Sequence, residues 1–445
     1  MDERAKCEKW QALESQLAQL AWDEETTGAD FGEAEAVLEQ ERQALLATLV
    51  PGVGVEGERL RRQQTLAAAV PARLLEALTL AQSRAMRAWA AARIANDFEV
   101  LSPALAALVP LVRERGAALA AALDIDSPYD ALLDENDPGL RHADARSLVS
   151  ELAQAPAPPA KDPRKFHLPR DQQIALCDSL LARIGFDATR GRRGEAAHPF
   201  TIVCGEDDIR LAVRFDEQRL ATAVLTTMHE AGHALFDQRL TRVHRRSFLS
   251  QCPSASLHEA HARLYENIIG RSAGFWRGQR DLMAQYAPEL ELDAWVSNLA
   301  AGHPGPLRLR ADSVRYHRHI ALRCELEAAL ITGSLRVENL AEAWRDASVR
   351  HLKVAPAHDN EGCLQDNHWP CGMFGYFATY SVGEAIACQL AEAMQVETLL
   401  AQPRAVNAWL AAHLPSDTAT AAEAILAATG APLSAAPFLR RYTDK

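Results

Sequence analysis

Residues 217–240 read EQRLATAVLTTMHEAGHALFDQRL, and within them His229, Glu230 and His233 form the pattern HExxH. Good helix formers dominate the stretch and proline is absent, so it predicts one long helix. Residues four apart lie one above the other on a helix, so both imidazoles project from one face and can grip one ion. Glu230 lies beside them, placed to act through a water. A zinc-like cation with an open position lowers that water's pKa and polarises a carbonyl, while the carboxylate takes the proton. The bland alternative is a helix with two partly buried, hydrogen-bonded histidines, and a third ligand decides between them. The pattern HExxHxxGxxH is excluded, because the positions it needs hold Phe236 and Arg239. A second helix then has to supply the ligand. The stretch SLHEAHARLYENIIG, residues 256–270, offers Glu259, with Glu266 seven residues further on the same face as a supporting carboxylate. His258 and His261 flank Glu259, either as groups supporting a ligand or as packing residues.

The surrounding chain reads as a helical scaffold. Alanine is its outstanding component, 83 of 445 residues, and alanine has the highest helix propensity. Helical periodicity recurs before Pro51-Gly52, in PARLLEALTLAQSRAMRAWAAARIANDF, and over residues 143–152. Pro103 and Pro110 are expected to mark starts or breaks of a helix, and DIDSPYDALLDENDPGL a turn-rich connector or short helix. The five prolines of APAPPAKDPRKFHLP mark either a domain linker or a surface loop. Two β-like runs, residues 200–204 and 209–215, flank GEDD as a hairpin.

Composition narrows the function. The net charge of −12 disfavours nonspecific binding to nucleic acid or anionic membrane. The most apolar stretch, residues 101–123, is interrupted by Pro103, Pro110 and Arg113-Glu114-Arg115, so no membrane span is expected. The charged opening MDERAKCEKW lacks the apolar core of a secretory signal, and the eight scattered cysteines form no CxxC pair. A cytoplasmic protein with reduced thiols is the expectation.

Further motifs carry a family resemblance. These are LAQLAWDEET at 17–26, SPYDALLDENDPG at 127–139, HPF at 198–200, DIR at 208–210, HEAGHAL at 229–235 and HEAHARLYEN at 258–267. LRLRAD at 307–312, GCLQDNHW at 362–369 and GYFATYSVGEAIACQL at 375–390 follow. In that order, across almost the whole chain, they resemble the thermostable, Thermus-type zinc metallocarboxypeptidases. The resemblance implies a mainly α fold: a large, two-lobed helical metallopeptidase with a deep active-site groove and a small β element, similar to neurolysin and angiotensin-converting enzyme. It implies one catalytic domain over residues 1–445, a homodimer, and release of single amino acids from peptides with a free C-terminus, with broad specificity. Zn2+, or Co2+ in some preparations, is the implied metal. His229, His233 and Glu259 match the family's ligands, and Glu230 its catalytic base. No other cofactor is implied.

Such an enzyme needs a fork for the substrate carboxylate, and an arginine supplies two parallel charged hydrogen bonds. Arg210, Arg308 and Arg323 are the candidates, each with a salt bridge as the alternative; for Arg323 the expected partners are Glu325 and Glu327. A donor must also face the developing oxyanion, and His368, Tyr376 and Tyr380 are the candidates. Asp366 is expected to orient His368 or a ligand imidazole, while Trp369 and Phe377 either line the groove or pack the core.

The chain departs from the family's patterns at Ala212, Ala260, His261, Ser313, Arg315, Arg318 and Ala378. Together with residues 241–246, the added arginines and histidines suggest a basic groove and a preference for acidic C-terminal residues. The competing functions are a dipeptidyl carboxypeptidase or oligoendopeptidase, and a weakly active zinc-binding protein.

Overall fold

Residues Leu220–Val243 form one continuous helix in the computed structural model, which describes residues 2–29, 31–161, 165–244 and 247–443. Around it the described chain is mainly α-helical, with one three-stranded sheet. Two compact units divide it. The first holds Met1–Gln64, Pro163–Ala300 and Ile386–Leu433; the second holds Thr65–Asp162, Ala301–Ala385 and Ser434–Lys445. The proline-rich stretch thus coincides with a boundary between units, and its residues 162–164 lie outside the described residues. No helix of the described chain is long and apolar enough to cross a membrane.

In the first unit the HExxH helix is buried on most of its surface, with Ala223, Val224, Met228, Ala231 and Ala234 all in the core. One face meets the helix Ala255–Arg263, whose start is capped by Ser254 accepting from the Leu257 N–H. Gly232 permits that approach: a Cβ there would lie 2.4 Å from the His261 carbonyl oxygen and 2.6 Å from Ala262 Cα. The chain continues from Ala255–Arg263 into a wider π-helical turn, Leu264–Ile269. Such turns re-aim side chains relative to a regular helix.

The predicted hairpin is present as β2 (Phe200–Gly205) and β3 (Asp208–Val213), following β1 (Gly191–Glu195). β3 is central, antiparallel to β2 and parallel to β1. Ile209 to Val213 are buried throughout, as expected of a central strand. β1, with the sequence GRRGE, was not expected. It has no apolar alternation and forms where two glycines allow close contact. A Cβ on Gly191 would strike the Ile209 carbonyl at 2.0 Å, and one on Gly194 the Trp22 ring at 2.5 Å.

The second unit is built on the helices Ala72–Ala95, Ser102–Leu123, Pro128–Asn136, His142–Ala153, Arg315–Thr332 and Leu340–Leu352. Leu105, Leu108, Val109, Val112 and Leu119 recur at three- and four-residue spacing and enter one core with Leu132, Leu322 and Leu330. Pro103 starts its helix, but Pro110 sits inside that helix and does not end it. Proline removes one intrahelical hydrogen bond, and the buried leucine stripe on both sides outweighs that loss. DIDSPYDALLDENDPGL resolves into a short helix with Pro128 in its first turn and Ser127 as its cap.

Candidate metal centre

Three side chains of the first unit converge as the spacing predicts. His229 and His233 project from the HExxH helix and Glu259 from the next, and one donor atom from each lies within 4.8 Å of the others. Glu259 Oε2 is 4.0 Å from His229 Nε2 and 3.7 Å from His233 Nε2. Two imidazole nitrogens and a carboxylate oxygen are a donor set suited to a zinc-like divalent cation.

The surroundings aim these donors. Glu266 Oε2 sits 2.9 Å from His229 Nδ1, which leaves Nε2 directed to the centre and fixes the tautomer a ligand needs. Arg263 Nε donates to Glu259 Oε1 at 2.6 Å, leaving Oε2 turned towards the imidazoles. Arg263 and Arg271 also lie 3.7 and 3.5 Å from Glu266. Burial alone would raise the Glu266 pKa, but the His229 hydrogen bond and the two guanidinium groups outweigh it and hold it at about 2. Burial likewise opposes charge on His229, but Glu259, Glu266 and Glu230 push its pKa up. His233 differs. Burial and the surrounding His258, His229 and Arg263 hold its pKa well below normal, so it is a neutral ring, and its Nδ1 has no partner among the described residues. His258 packs on that ring at 4.2 Å between centroids and is itself held by Asp237 at 3.2 Å.

Glu230 is 5% exposed. Thr201 Oγ1, on β2, lies 2.8 Å from its Oε2 and 3.0 Å from its backbone oxygen, and the single hydroxyl proton serves one of them at a time. Burial raises the Glu230 pKa, with His229 and Thr201 acting against it. A carboxylate made more basic by burial is suited to accept a proton from water.

The other sequence candidates are distributed as follows. Arg210, on β3 of the first unit, is engaged by Asp208 at 3.0 Å and lies over the Trp22 ring. The second unit brings together Arg308, Arg323, Asp366, His368, Tyr376 and Tyr380. Arg308 binds Asp366 Oδ1 at 2.8 and 3.1 Å, and Arg323 Nε binds Oδ2 at 2.7 Å. The expected pairing of Arg323 with Glu325 and Glu327 is therefore corrected. Glu325 faces outward to Arg350 and His351, and Glu327 accepts from Tyr129, Trp369 and Gly375. Asp366 contacts the two arginines in place of an imidazole, because two buried guanidinium groups require a counter-charge. His368 Nε2 is 2.9 Å from the Tyr380 hydroxyl, and its ring stacks on Phe377 at 4.4 Å. Burial, then Arg308 and Arg323, lower the His368 pKa to about 3, so the ring is neutral. Tyr376 is half-buried, its ring 5.4 Å from that of Tyr380. Trp369 and Phe377 are core residues, 5% and 1% exposed.

The added basic residues have structural roles. His261 is buried, bonded to the Leu257 carbonyl and packed on Phe236. Arg315 pairs with Asp312, and Arg318 binds the carbonyls of Ala153 and Ala155. Arg245 and Arg246 lie outside the described residues. Arg263, Thr201 and Asp237 were missed by sequence reasoning. Only Arg263 carried a signal, its i,i+4 spacing from Glu259.

A helical scaffold holding HExxH on one helix and a glutamate on the next defines a zincin-type metallopeptidase. The family model described as "Carboxypeptidase Taq (M32) metallopeptidase" matches residues 3–445, and the chain belongs to that family. It is 33% identical over 415 residues to a thermostable carboxypeptidase 1 of Thermus thermophilus, covering 86% of this chain and 81% of that protein. A carboxypeptidase structure from Pyrococcus furiosus superposes with a TM-score of 0.90 at 26% identity, over 99% of this chain and 97% of that one. The M32 carboxypeptidase of Deinococcus radiodurans gives 0.87 at 27% identity, covering 98% and 96%. The chain is thus a metallocarboxypeptidase, an enzyme of C-terminal peptide hydrolysis by a metal-activated mechanism.

Proposed function

We propose that the enzyme releases single amino acids from the C-terminus of peptides with broad specificity, using zinc, or cobalt in its place, at His229, His233 and Glu259. The observation that carries this reading is the convergence of those three donors within 4.8 Å beside buried Glu230. A bound divalent cation supplies Lewis acidity towards the scissile carbonyl and makes a water acidic near neutral pH. With such a cation held there, Glu230 would take a proton from the attacking water and return it to the departing amine, and Thr201 positions its carboxyl group for both transfers.

The donor to the developing oxyanion belongs to His368, Tyr376 or Tyr380. Tyr380 is the best supported of these: it is half-buried, and its hydroxyl lies 2.9 Å from Nε2 of neutral His368, which orients it. For the substrate carboxylate, Arg210 is matched by its own Asp208, whereas Arg308 and Arg323 share one aspartate and keep a surplus positive charge. Arg323 has no accessible surface and Arg308 has 6%, which favours Arg308 as the group that meets an anion. The same reading makes residues 1–445 one catalytic domain of the neurolysin and angiotensin-converting-enzyme kind, acting as a cytoplasmic homodimer without nucleic-acid or membrane partners.

Glu230→Gln tests the base. The variant is expected to keep stoichiometric metal by elemental analysis while hydrolysis falls by about 10²–10⁴. Wild-type turnover in the metal-loaded variant refutes the role. Mass spectrometry of digests separates the carboxypeptidase from its rivals, since loss of residue pairs or internal cuts would contradict single-residue release.

A further inference from the structure

Within the second unit a pocket of about 720 Å³ opens against the helices His142–Ala153 and Arg315–Thr332 and the end of Leu340–Leu352. Arg146, Arg318, Arg350 and Lys353 line it, with Glu325 the one carboxylate of the lining. That is a surplus of three positive charges in a chain whose net charge is −12. Val149, Ala321, Cys324 and Ala328 supply a floor of small apolar side chains.

Helix capping explains part of this arrangement. Arg350 and His351 pair with Glu325, and Lys353 Nζ donates to the Arg350 carbonyl at 3.0 Å. Arg318 covers the carbonyls of Ala153 and Ala155 at 3.0 and 3.2 Å, but no carboxylate balances its charge. The Arg146 side chain is exposed and makes no hydrogen bond or ion pair among the described residues, yet it lines the same space. After burial, its charge is a cause of the lowered His142 pKa. Arg146, Arg350 and Lys353 are exposed and solvent screens much of their repulsion, but a surplus of cations around one concave space still favours an anion there.

We propose that this pocket binds a nucleotide-sized organic phosphate, with its phosphate groups on Arg146, Arg318 and Lys353 and a flat apolar body on the alanine-lined floor. The Arg146 guanidinium fork is free to match phosphate oxygens in geometry as well as charge, while Arg318, with Nε and Nη2 on the two carbonyls, adds its charge and Nη1. A concave site with an apolar floor and a few convergent polar groups holds a ligand of this size. Arg318, one of the chain's departures from its family pattern, thereby gains a role that the peptidase reaction does not give it.

Calorimetric titration of the full-length, metal-loaded protein with ADP, inorganic pyrophosphate and adenosine tests the assignment. ADP is expected to bind saturably, pyrophosphate about tenfold more weakly, and adenosine more weakly still. Arg146→Glu and, separately, Lys353→Glu are expected to weaken ADP at least about tenfold, with circular dichroism and peptide hydrolysis unchanged. Absence of saturable binding at millimolar ADP overturns the site. ADP binding that survives Arg146→Glu places the diphosphate elsewhere, on the catalytic cation for instance, and overturns it too. Equal affinity for pyrophosphate and ADP refutes the role of the apolar floor.

Discussion

Glu327 offers a stability test with a definite sign. It lies on the helix Arg315–Thr332 with no accessible surface and no cation paired to it among the ion pairs of the described residues. Its Oε1 accepts from the Tyr129 hydroxyl at 3.0 Å and the Gly375 N–H at 2.8 Å, and its Oε2 from Trp369 Nε1 at 2.8 Å. The carboxyl therefore ties down both ends of the segment 369–375, which is flanked by the candidate site residues His368 and Tyr376. Burial raises its pKa from 4.5 to about 7, and the three donors only partly oppose this. Because the folded pKa exceeds the unfolded one, the folded state holds more protons between those values. Stability from this group is complete below about pH 4.5 and is lost as pH rises through 7. At 1.36 kcal/mol per pH unit the full change is about 3 kcal/mol. Glu327→Gln removes the titration. If the amide oxygen keeps Tyr129 and Gly375, its NH2 faces the Trp369 N–H, and two opposed buried donors cost about 1–3 kcal/mol at every pH. Denaturant unfolding of both proteins at pH 5, 6.5 and 8 should therefore show wild type ahead by most at pH 5. The gap should narrow by up to about 3 kcal/mol by pH 8. A gap that is constant across this range refutes the raised pKa, and one that widens refutes the sign of the argument.

Asp366→Asn leaves Arg308 and Arg323 buried without their shared counter-charge. A loss of about 3–5 kcal/mol is expected in chemical denaturation. Arg263→Met frees Glu259 Oε1 and should weaken metal binding about 10–100-fold in chelator competition while leaving the helical circular dichroism intact. Gly232→Ala places a methyl group 2.4 Å from the His261 carbonyl. It should destabilise by about 1–3 kcal/mol and reduce metal occupancy, because the helix that moves away carries Glu259.

How far the sequence could be read depended on whether a signal was local. The pair His229 and His233 was legible because helical geometry alone puts positions i and i+4 on one face. Glu259 and Glu266 were legible as a second helical face, and the π-helical turn after Arg263 did not break that reading because Glu266 still reaches His229. The hairpin was legible from two β-like runs around a turn. β1 was not: GRRGE forms a strand only because Ile209 and Trp22 lie where a Cβ would be. Thr201 reaches Glu230 across 29 residues and Arg323 reaches Asp366 across 43. Neither pairing leaves a trace in spacing. Glu327 misled for the same reason. In CELE it looks like a surface charge and a natural partner for Arg323, yet the helix turns Glu325 to solvent and Glu327 into the core.

The charge balance of the two clusters links these local details to the chemistry. Around the donors of the first unit, Glu230, Glu259 and Glu266 outnumber Arg263 and Arg271 once His229 is the neutral ring a ligand must be, and these carboxylates are what push its pKa up. In the second unit, Arg308 and Arg323 outnumber Asp366, and His368 stays neutral beside them. A surplus of buried negative charge is a cost that a divalent cation relieves, and a surplus of buried positive charge is one that a carboxylate relieves. A metallocarboxypeptidase needs both, a cation to activate water and a fixed charge to recognise the free C-terminus. Arg308→Gln should then raise KM for peptides far more than for the same peptides amidated at the C-terminus. If both substrate types lose equally, the surplus charge supports the fold and does not recognise the substrate.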